Sequence, residues 1–224
     1  FKALLFLAAG SVIIALHHEQ DLRKMGGLKR RMPITFVTTW IGSLALAGIP
    51  PFAGFFSKDM IIEAARHSSL PGSGFAYFAV LTAVFVTAFY AFRVLFLTYY
   101  GKPRMDEHTL KHVEESPWVV TIPLILLAIP SLAAGFMFLD PLVFGGYFAE
   151  SIKVLPAHDV VKQIAEHYAG IGPFIAHGLQ SAPFLLSVAG IVTAWFMYAR
   201  LPHLPGGVRE KAGEAAGYDR ARIL

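Results

Sequence analysis

The sequence contains no cysteine and has few charged residues. Without cysteine the chain can form no disulfide and can supply no thiolate to a zinc site or an iron–sulfur cluster. Charged residues make up 15% of its 224 residues, whereas about 25% is usual for soluble domains. The composition therefore excludes a disulfide-stapled domain and a carrier of iron–sulfur centres, and it disfavours a soluble globular protein.

Hydrophobic residues make up 55% of the chain and are concentrated in blocks. A membrane-spanning helix needs about 20 such residues. Five blocks are apolar enough to span or partly span a bilayer, at roughly 1–16, 33–66, 76–100, 118–139 and 181–200. The sequence therefore predicts an all-α, polytopic transmembrane helix bundle. The net charge of +4 does not indicate nucleic-acid binding, because most basic residues lie beside apolar blocks.

Lysine and arginine crowd every second connecting segment, which fixes the expected topology. By the positive-inside rule, the segments 17–32 and 101–116 and the basic tail 201–224 lie on the inner side. The stretch 140–180 then lies on the outer side, where "AESIKVL" and "DVVKQIAEHY" are predicted to form short surface helices. Because Phe1 opens directly into an apolar run and the tail stops without a capping signal, we expect the chain to be a truncated piece.

The second block contains an interruption, "GIPPFAGFFSKD", at residues 48–59. A continuous helix from Pro33 to Ser68 would be about 52 Å long, far more than one perpendicular crossing needs. Pro50 and Pro51 disfavour helix at and before their positions, and Gly54 is predicted to let the chain turn. We therefore expect two half-helices, with the second capped by Ser57 or Asp59.

Charged side chains inside apolar blocks are candidates for proton transfer. Lys2 and Lys58 are predicted to lie at membrane depth, where a lysine costs at least about 2.5 kcal/mol and usually faces a protein interior or a water path. Asp59, Glu63 and His67 recur at i, i+4 and i+8 and so share one helix face. The alternatives are that Lys2 snorkels to the surface, that Asp59 is only a cap, and that Glu63 and His67 are boundary residues.

No metal or cofactor site is predicted on this chain. His17, His18, Glu19 and Asp21 lie together but lack the spacing of a known metal site. His158, His167 and His177 are too widely spread to indicate one. No phosphate-binding glycine loop or dinucleotide fingerprint occurs in the sequence.

The stretches "FKALLFLAAGSVI", "HHEQDLRKMGGL" and "GIPPFAGFFSKD" resemble a known family. This family consists of the antiporter-like membrane subunits of proton-pumping NADH:quinone oxidoreductase (respiratory complex I). The resemblance is to subunit L of bacteria and chain 5 of mitochondria in particular. The match is dense over 1–66 and colinear through 200. It implies an antiporter-like fold in which Lys2 is a central proton carrier and Lys58 is the lysine nearest the outlet.

The resemblance also implies partners and a location. FMN, iron–sulfur clusters, NADH and quinone would belong to partner subunits, and a neighbouring antiporter-like subunit would lie beside this one. The membrane would be the bacterial inner membrane or, alternatively, the mitochondrial inner membrane. The implied division is the end of the second antiporter-like repeat at 1–66, further spanning helices at 67–200 and a tail at 201–224.

Two other functions stay open at this point. The large subunit of multisubunit cation/proton antiporters shares both lysine motifs, although "HHEQD" favours complex I. A structural membrane module with no proton path of its own is the alternative from a different class. Titration of Lys58 near neutral pH would separate that module from either transporter.

Overall fold

A computed structural model describes residues 1–148, 150–155 and 158–201, and within these ranges the chain is helical with no strand. The predicted tail at 201–224 lies outside the described residues except for Leu201. The all-α fold class is confirmed. The α-helices are α1 (Lys2–Ala15), α2 (Pro33–Ala47), α3 (Ala53–His67), α4 (Ser73–Tyr99), α5 (Glu107–His112), α6 (Trp118–Leu139), α7 (Val160–His167), α8 (Ile171–Gly178) and α9 (Ala182–Trp195).

The apolar blocks of the sequence correspond to helices of two lengths. Three helical stretches are long and apolar enough to cross a membrane, namely Ser73–Tyr99, Trp118–Phe144 and Ala182–Arg200. The second and third extend α6 and α9 by one π-helical turn each. The apolar helices α1 and α2 are shorter, with 14 and 15 residues. The block 33–66 is divided between α2 and α3, so the predicted discontinuous helix is confirmed.

Helix α2 lies at the centre of the bundle, in contact with α1, α3, α4 and α6. Its aromatic side chains pack against α4, where the Trp40 and Phe92 rings meet edge to face. Helices α4 and α9 approach closely because Gly190 presents no side chain; a Cβ there would lie 2.6 Å from the Phe85 carbonyl oxygen. Small residues commonly permit such contact between membrane helices.

Two connecting segments meet at one end of the bundle, which we call the basic end and define by residues 17–32 and 101–116. The Arg104 guanidinium donates hydrogen bonds to the carbonyls of Leu22, Arg23 and Leu97. The Gly27 amide donates to the carbonyl of Tyr100. The bonds from Arg104 to Leu22 and Arg23 join segments that are about 80 residues apart in the sequence, so both segments lie at the same end, as their shared basic character predicts.

The far end, which we define by residues 67–72 and 145–170, carries the polar stretch between α6 and α9. Helix α7 confirms the helix predicted in "DVVKQIAEHY", and the Asp159 side chain caps it. The helix predicted in "AESIKVL" is wrong, because residues 150–155 are not helical. Ile152, Val154 and Leu155 are exposed, so no packed face stabilises a helix this short. Helix α8 was not predicted.

Candidate functional site

The break between α2 and α3 is built by glycine and proline. Gly48 has φ 77° and ψ 35°, a left-handed conformation that glycine adopts without steric cost. Its amide donates to the Ala45 carbonyl, and the Ile49 amide donates to the Leu44 carbonyl, the pattern of a Schellman C-cap. Pro50 follows and brings no amide donor. The interruption spans residues 48–52, inside the predicted interval.

Two details of the predicted break differ in the structure. Gly54 lies within the first turn of α3, where a Cβ would overlap the Ala45 carbonyl oxygen; it permits close packing of α3 on α2 and does not form the turn. The predicted capping by Ser57 or Asp59 is wrong. Helix α3 starts after Phe52 without a side-chain cap, because the proline pair ends the irregular stretch earlier than the polar residues.

Lys58 reaches back from α3 to the end of α2. Its Nζ donates a hydrogen bond to the Leu46 carbonyl oxygen at 2.8 Å, and the side chain is half-buried. Gly48 makes room for this path, since a Cβ there would lie 3.1 Å from the Lys58 Cδ. The same glycine that ends α2 therefore admits the lysine side chain to the carbonyl end of the helix.

All four terminal carbonyls of α2 have donors. Ile49 and Gly48 supply amides to Leu44 and Ala45, as described above. Lys58 supplies its Nζ to Leu46, and the Ser187 hydroxyl of α9 donates to the Ala47 carbonyl at 2.7 Å. A helix C-terminus carries partial negative charge, so this is a favourable place for an ammonium group. A pocket of about 10 Å³ beside Lys58 and Ser187 is the size of one water molecule.

The partner of Lys58 matters for its chemistry. The bond to Leu46 needs only an N–H donor, and both an ammonium and a neutral amine have one. The hydrogen bond to Leu46 is therefore compatible with either protonation state of Lys58. A carboxylate partner would instead favour the charged form strongly. The geometry suits a group that changes protonation state in place.

Lys2 lies at the start of α1 and is exposed, whereas the sequence predicts an interior position. Its side chain borders a mostly apolar cavity of about 480 Å³ between α1, α2 and α4. Thr39 and Ser43 contribute hydroxyls to the lining, and Thr39 bonds the Tyr99 hydroxyl at 2.9 Å. Its role in proton transfer stays a prediction.

Asp59, Glu63 and His67 line one cavity at the far end, with a volume of about 640 Å³. Asp59 is 4% exposed, and it also borders the small pocket beside Lys58. Glu63 pairs with Arg66 at 3.5 Å and with the Nε2 of His67 at 3.3 Å. The shared face inferred from their spacing is therefore a cavity wall that begins next to Lys58.

The opposite wall comes from residues that the sequence did not assign to this site. Glu166, His167 and His177, from α7 and α8, line the same cavity. Their spacing along the chain gave no signal, because they meet α3 only through folding of the far-end segment. Nearby, Tyr168 donates to Asp140, and burial together with this bond raises the pKa of Tyr168 to about 12.

The N-terminus of α2 is capped by a residue about 80 positions away. Glu115 precedes α6, and its Oε2 accepts the amides of Ile34 at 2.6 Å and Thr35 at 3.2 Å. Its Oε1 accepts the Thr35 hydroxyl at 2.6 Å. The Thr35 hydroxyl also lies 3.0 Å from the Ser11 hydroxyl, which contacts that of Ser116 at 2.7 Å. Nothing in the sequence signals this network, since "EESP" gives no sign of which helix it caps.

The acidic residues near His17 and His18 are used in ion pairs. Glu19 pairs with Lys24 at 2.7 Å and Asp21 with Arg23 at 2.6 Å. Hydrogen bonds from Arg23 lower the pKa of Asp21 to about 2. Among the described residues, no group of three or more histidine and acidic side chains has the geometry to hold a metal ion.

These features define a class: a multi-pass helical membrane protein with a charged residue at the break of a discontinuous helix. Residues 1–100 match the family described as NADH:quinone oxidoreductase/Mrp antiporter, transmembrane. The chain belongs to this antiporter-like membrane-subunit family.

Individual relatives can be aligned with most of this chain. It is 48% identical, over 94% of its length, to NADH-quinone oxidoreductase subunit L of Neisseria meningitidis serogroup B, of which it covers 34%. It is 40% identical to the subunit L of Rickettsia bellii over 88% of this chain and 29% of the relative. It is 38% identical to NADH-ubiquinone oxidoreductase chain 5 of Marchantia polymorpha over 80% of this chain and 29% of the relative. The chain thus spans about a third of the relatives' length.

Proposed function

We propose that this chain is part of a proton-translocating membrane subunit of NADH:quinone oxidoreductase. Within it, Lys58 is the proton-carrying residue nearest the outlet of the proton path. The observation that carries the proposal is the contact of Lys58 with the Leu46 carbonyl at the helix break. Broken helices with exposed backbone groups recur at the ion sites of membrane transporters. Irregular backbone at membrane depth is tolerated where it is buried in protein or lines a cavity.

The proposed route runs along α3 from Lys58 to the far end. Lys58 receives a proton by way of the cavity that Lys2 and Leu46 both border, and Lys2 is the candidate donor. It passes the proton to Asp59, its neighbour in sequence, whose side chain borders both the Lys58 pocket and the far-end cavity. Glu63 and His67 line the next turns of the same cavity. Each of these steps breaks an N–H or O–H bond on the donor and forms one on the acceptor without a change of oxidation state, so the chain itself performs no redox chemistry.

The proposed assembly follows from the relatives' names. Subunits of an NADH:quinone oxidoreductase work together, so the partners are other membrane subunits, including a neighbouring antiporter-like one. NADH, FMN, iron–sulfur clusters and quinone are assigned to partner subunits. The membrane is the bacterial inner membrane, with the basic end on the inner side. The mitochondrial inner membrane is the alternative, since chain 5 relatives also match most of this chain.

The second candidate is the large subunit of a cation/proton antiporter, because the family description names both classes. Lys58 would have the same role in that protein. The difference lies in what drives it: electron transfer in partner subunits in one case, and an opposing cation gradient in the other. Proton pumping that depends on NADH oxidation supports the first class.

The test uses the intact bacterial complex carrying the full-length subunit. Lys58→Met keeps most of the side-chain volume and removes the titratable group. We expect the complex to assemble, and to pump fewer protons per quinone reduced or to turn over more slowly if the steps are tightly coupled. Lys111→Met is the control, because Lys111 is an exposed lysine in α5. Wild-type stoichiometry and turnover in Lys58→Met would leave the structural-module function as the better explanation.

A further inference from the structure

We infer that Glu115 is the positioning residue for Lys58, and that it acts along the length of α2. This inference rests on the proposed function of Lys58. Glu115 caps the N-terminus of α2, and the C-terminus of the same helix provides the carbonyl that holds the lysine. The two charged groups therefore act on opposite ends of one helix, although they are 57 positions apart in the sequence.

The N-terminal cap meets a definite need. The first amides of a helix have no acceptor within the helix, and α2 begins after Met32 with no side-chain cap of its own. Glu115 supplies acceptors for the Ile34 and Thr35 amides and for the Thr35 hydroxyl. A carboxylate also suits the positive end of the helix dipole. Without Glu115, these amides would lose their acceptor at the point where α2 enters the bundle.

The cap fixes α2 against two other helices. Glu115 and Ser116 lie directly before α6, and Ser116 contacts Ser11 of α1. Ser11 and Thr35 are both about 1% exposed or less, so their hydroxyls depend on this network for partners. The network thereby sets the position of the α2 N-terminus relative to α1 and α6.

Helix α2 transmits that position to Lys58. Its 15 residues form a rod about 22 Å long, with no proline after its first residue. A tilt or shift at the Glu115 end moves the Leu46 carbonyl at the other end. The Lys58 side chain passes close beside Gly48, so a shift of this end of α2 changes the geometry of the Lys58–Leu46 contact.

Glu115 suits positioning better than proton transfer. Its contacts with Ile34 and Thr35 come from two backbone amides and a hydroxyl, which donate to its oxygens. Both carboxylate oxygens are therefore occupied in holding the first turn of α2. Lys58 contrasts with it, because its carbonyl partner accepts a bond from either protonation state. One residue is suited to hold the helix and the other to change charge.

The experiment compares Glu115→Gln with Glu114→Gln in the full-length subunit of the assembled bacterial complex. Glutamine keeps the size of the side chain, but it replaces one of the two acceptor oxygens with an NH₂ donor and removes the negative charge. Glu114 is the adjacent exposed residue, so its variant changes the same charge without touching the cap. We expect Glu115→Gln to reduce proton pumping by roughly threefold to tenfold, within the range that misplaced reacting groups produce. We expect Glu114→Gln to match the wild type.

A double variant separates positioning from a merely structural effect. If Glu115 acts through Lys58, then adding Glu115→Gln to Lys58→Met should reduce pumping no further than Lys58→Met alone. Independent, multiplying losses would overturn the inference, as would wild-type pumping in Glu115→Gln. Wild-type pumping in Lys58→Met would instead overturn the proposed function of Lys58, so the two failures are distinguishable.

A milder variant covers the case in which Glu115→Gln does not assemble. Thr35→Val removes the hydroxyl that donates to Glu115 Oε1 and leaves the carboxylate in place. We expect it to assemble with a smaller loss of pumping, and to show the same lack of additivity with Lys58→Met. Normal pumping in an assembled Thr35→Val complex, or a loss that multiplies that of Lys58→Met, would overturn the inference.

Discussion

At both ends of α2, side chains from outside the helix bond the backbone groups that have no partner within it, and the charged side chains at the two ends have opposite sign. At the N-terminus, the Glu115 carboxylate accepts from backbone amides and from a hydroxyl. At the C-terminus, the Lys58 Nζ and the Ser187 hydroxyl donate to backbone carbonyls. Both charges complement the helix dipole, and both come from outside the helix.

The two ends differ in how a change in the protonation of the charged residue affects its hydrogen bonds. Protonating Glu115 would weaken its interaction with donors that already point at it. Deprotonating Lys58 leaves an N–H that still bonds the Leu46 carbonyl. Whether a contact at a helix end survives a change of protonation therefore depends on the partner group as much as on the charged residue itself.

The largest expected effect comes from forcing the C-terminal end of α2 away from α3. In Gly54→Ala, the new Cβ would overlap the Ala45 carbonyl oxygen, which is backbone and cannot rotate away. Overpacking usually costs about 1–3 kcal/mol and sometimes more, and here the two half-helices must separate. We expect little assembled subunit, measured by its amount in purified complex and by its thermal unfolding in detergent.

Gly10→Ala is the matched control for that change, because a Cβ at Gly10 would meet nothing within 4 Å. It should assemble normally. If Gly54→Ala also assembled with wild-type thermal stability, the close approach of α3 to α2 would not be required. The contacts described at the C-terminus of α2 would then not depend on that approach.

The next effect separates charge from titration at Lys58. Lys58→Arg keeps a positive charge at the end of α2 but cannot be deprotonated in a protein. We expect assembly to be retained and proton pumping per quinone reduced to fall about as far as in Lys58→Met. The ratio of protons to NADH oxidised in vesicles measures this. Full stoichiometry with arginine would mean that a fixed charge is sufficient and that Lys58 resembles Glu115 in function.

A smaller effect is expected at Ser187, the uncharged side chain that donates to a carbonyl at the C-terminus of α2. Ser187→Ala leaves the Ala47 carbonyl without its hydroxyl donor, and a buried polar group without a partner costs about 1–3 kcal/mol. We expect a lower midpoint of thermal unfolding, with proton stoichiometry unchanged because Lys58 keeps its own bond. Thr193→Ala in the same helix is the control, since that hydroxyl bonds a carbonyl within α9. Equal stability losses in both variants would argue against a specific role for the Ser187 contact.

The smallest effect is expected for Asp21, an acidic residue at the basic end that does not contact the α2 amides. Bonds from Arg23 lower the pKa of Asp21 from 3.8 to about 2. The pair therefore contributes stability above the ordinary pKa, and the contribution is lost as the pH falls toward about 2. Near neutral pH, exposed pairs of this kind contribute little. We expect Asp21→Asn to leave assembly, pumping and thermal unfolding at pH 7 unchanged.

Asp21→Asn also sharpens the proposal for Glu115. Both residues are acidic and lie at the basic end, but only Glu115 contacts the α2 amides. A loss of pumping in Asp21→Asn comparable to that in Glu115→Gln would show that negative charge in general matters at this end. It would remove the special role given to the cap.

The sequence was sufficient for features that depend on local chemistry. Apolar blocks determine where helices form, and the Gly-Ile-Pro-Pro stretch determines where the second block breaks, because proline removes an amide and glycine permits a left-handed turn. The i, i+4, i+8 spacing of Asp59, Glu63 and His67 determines that they share a helix face. Each of these conclusions depends on neighbours within a few positions.

Only the tertiary structure decided which distant groups meet. Nothing local indicates that Glu115 caps α2, that Ser187 bonds Ala47, or that His177 faces Asp59 across a cavity. Gly54 was assigned to the turn from sequence, but it is a contact point between helices. Unpaired backbone groups at helix ends must find partners in an environment poor in water. Which side chain provides a partner depends on how the helices pack, and packing joins residues that the sequence keeps far apart.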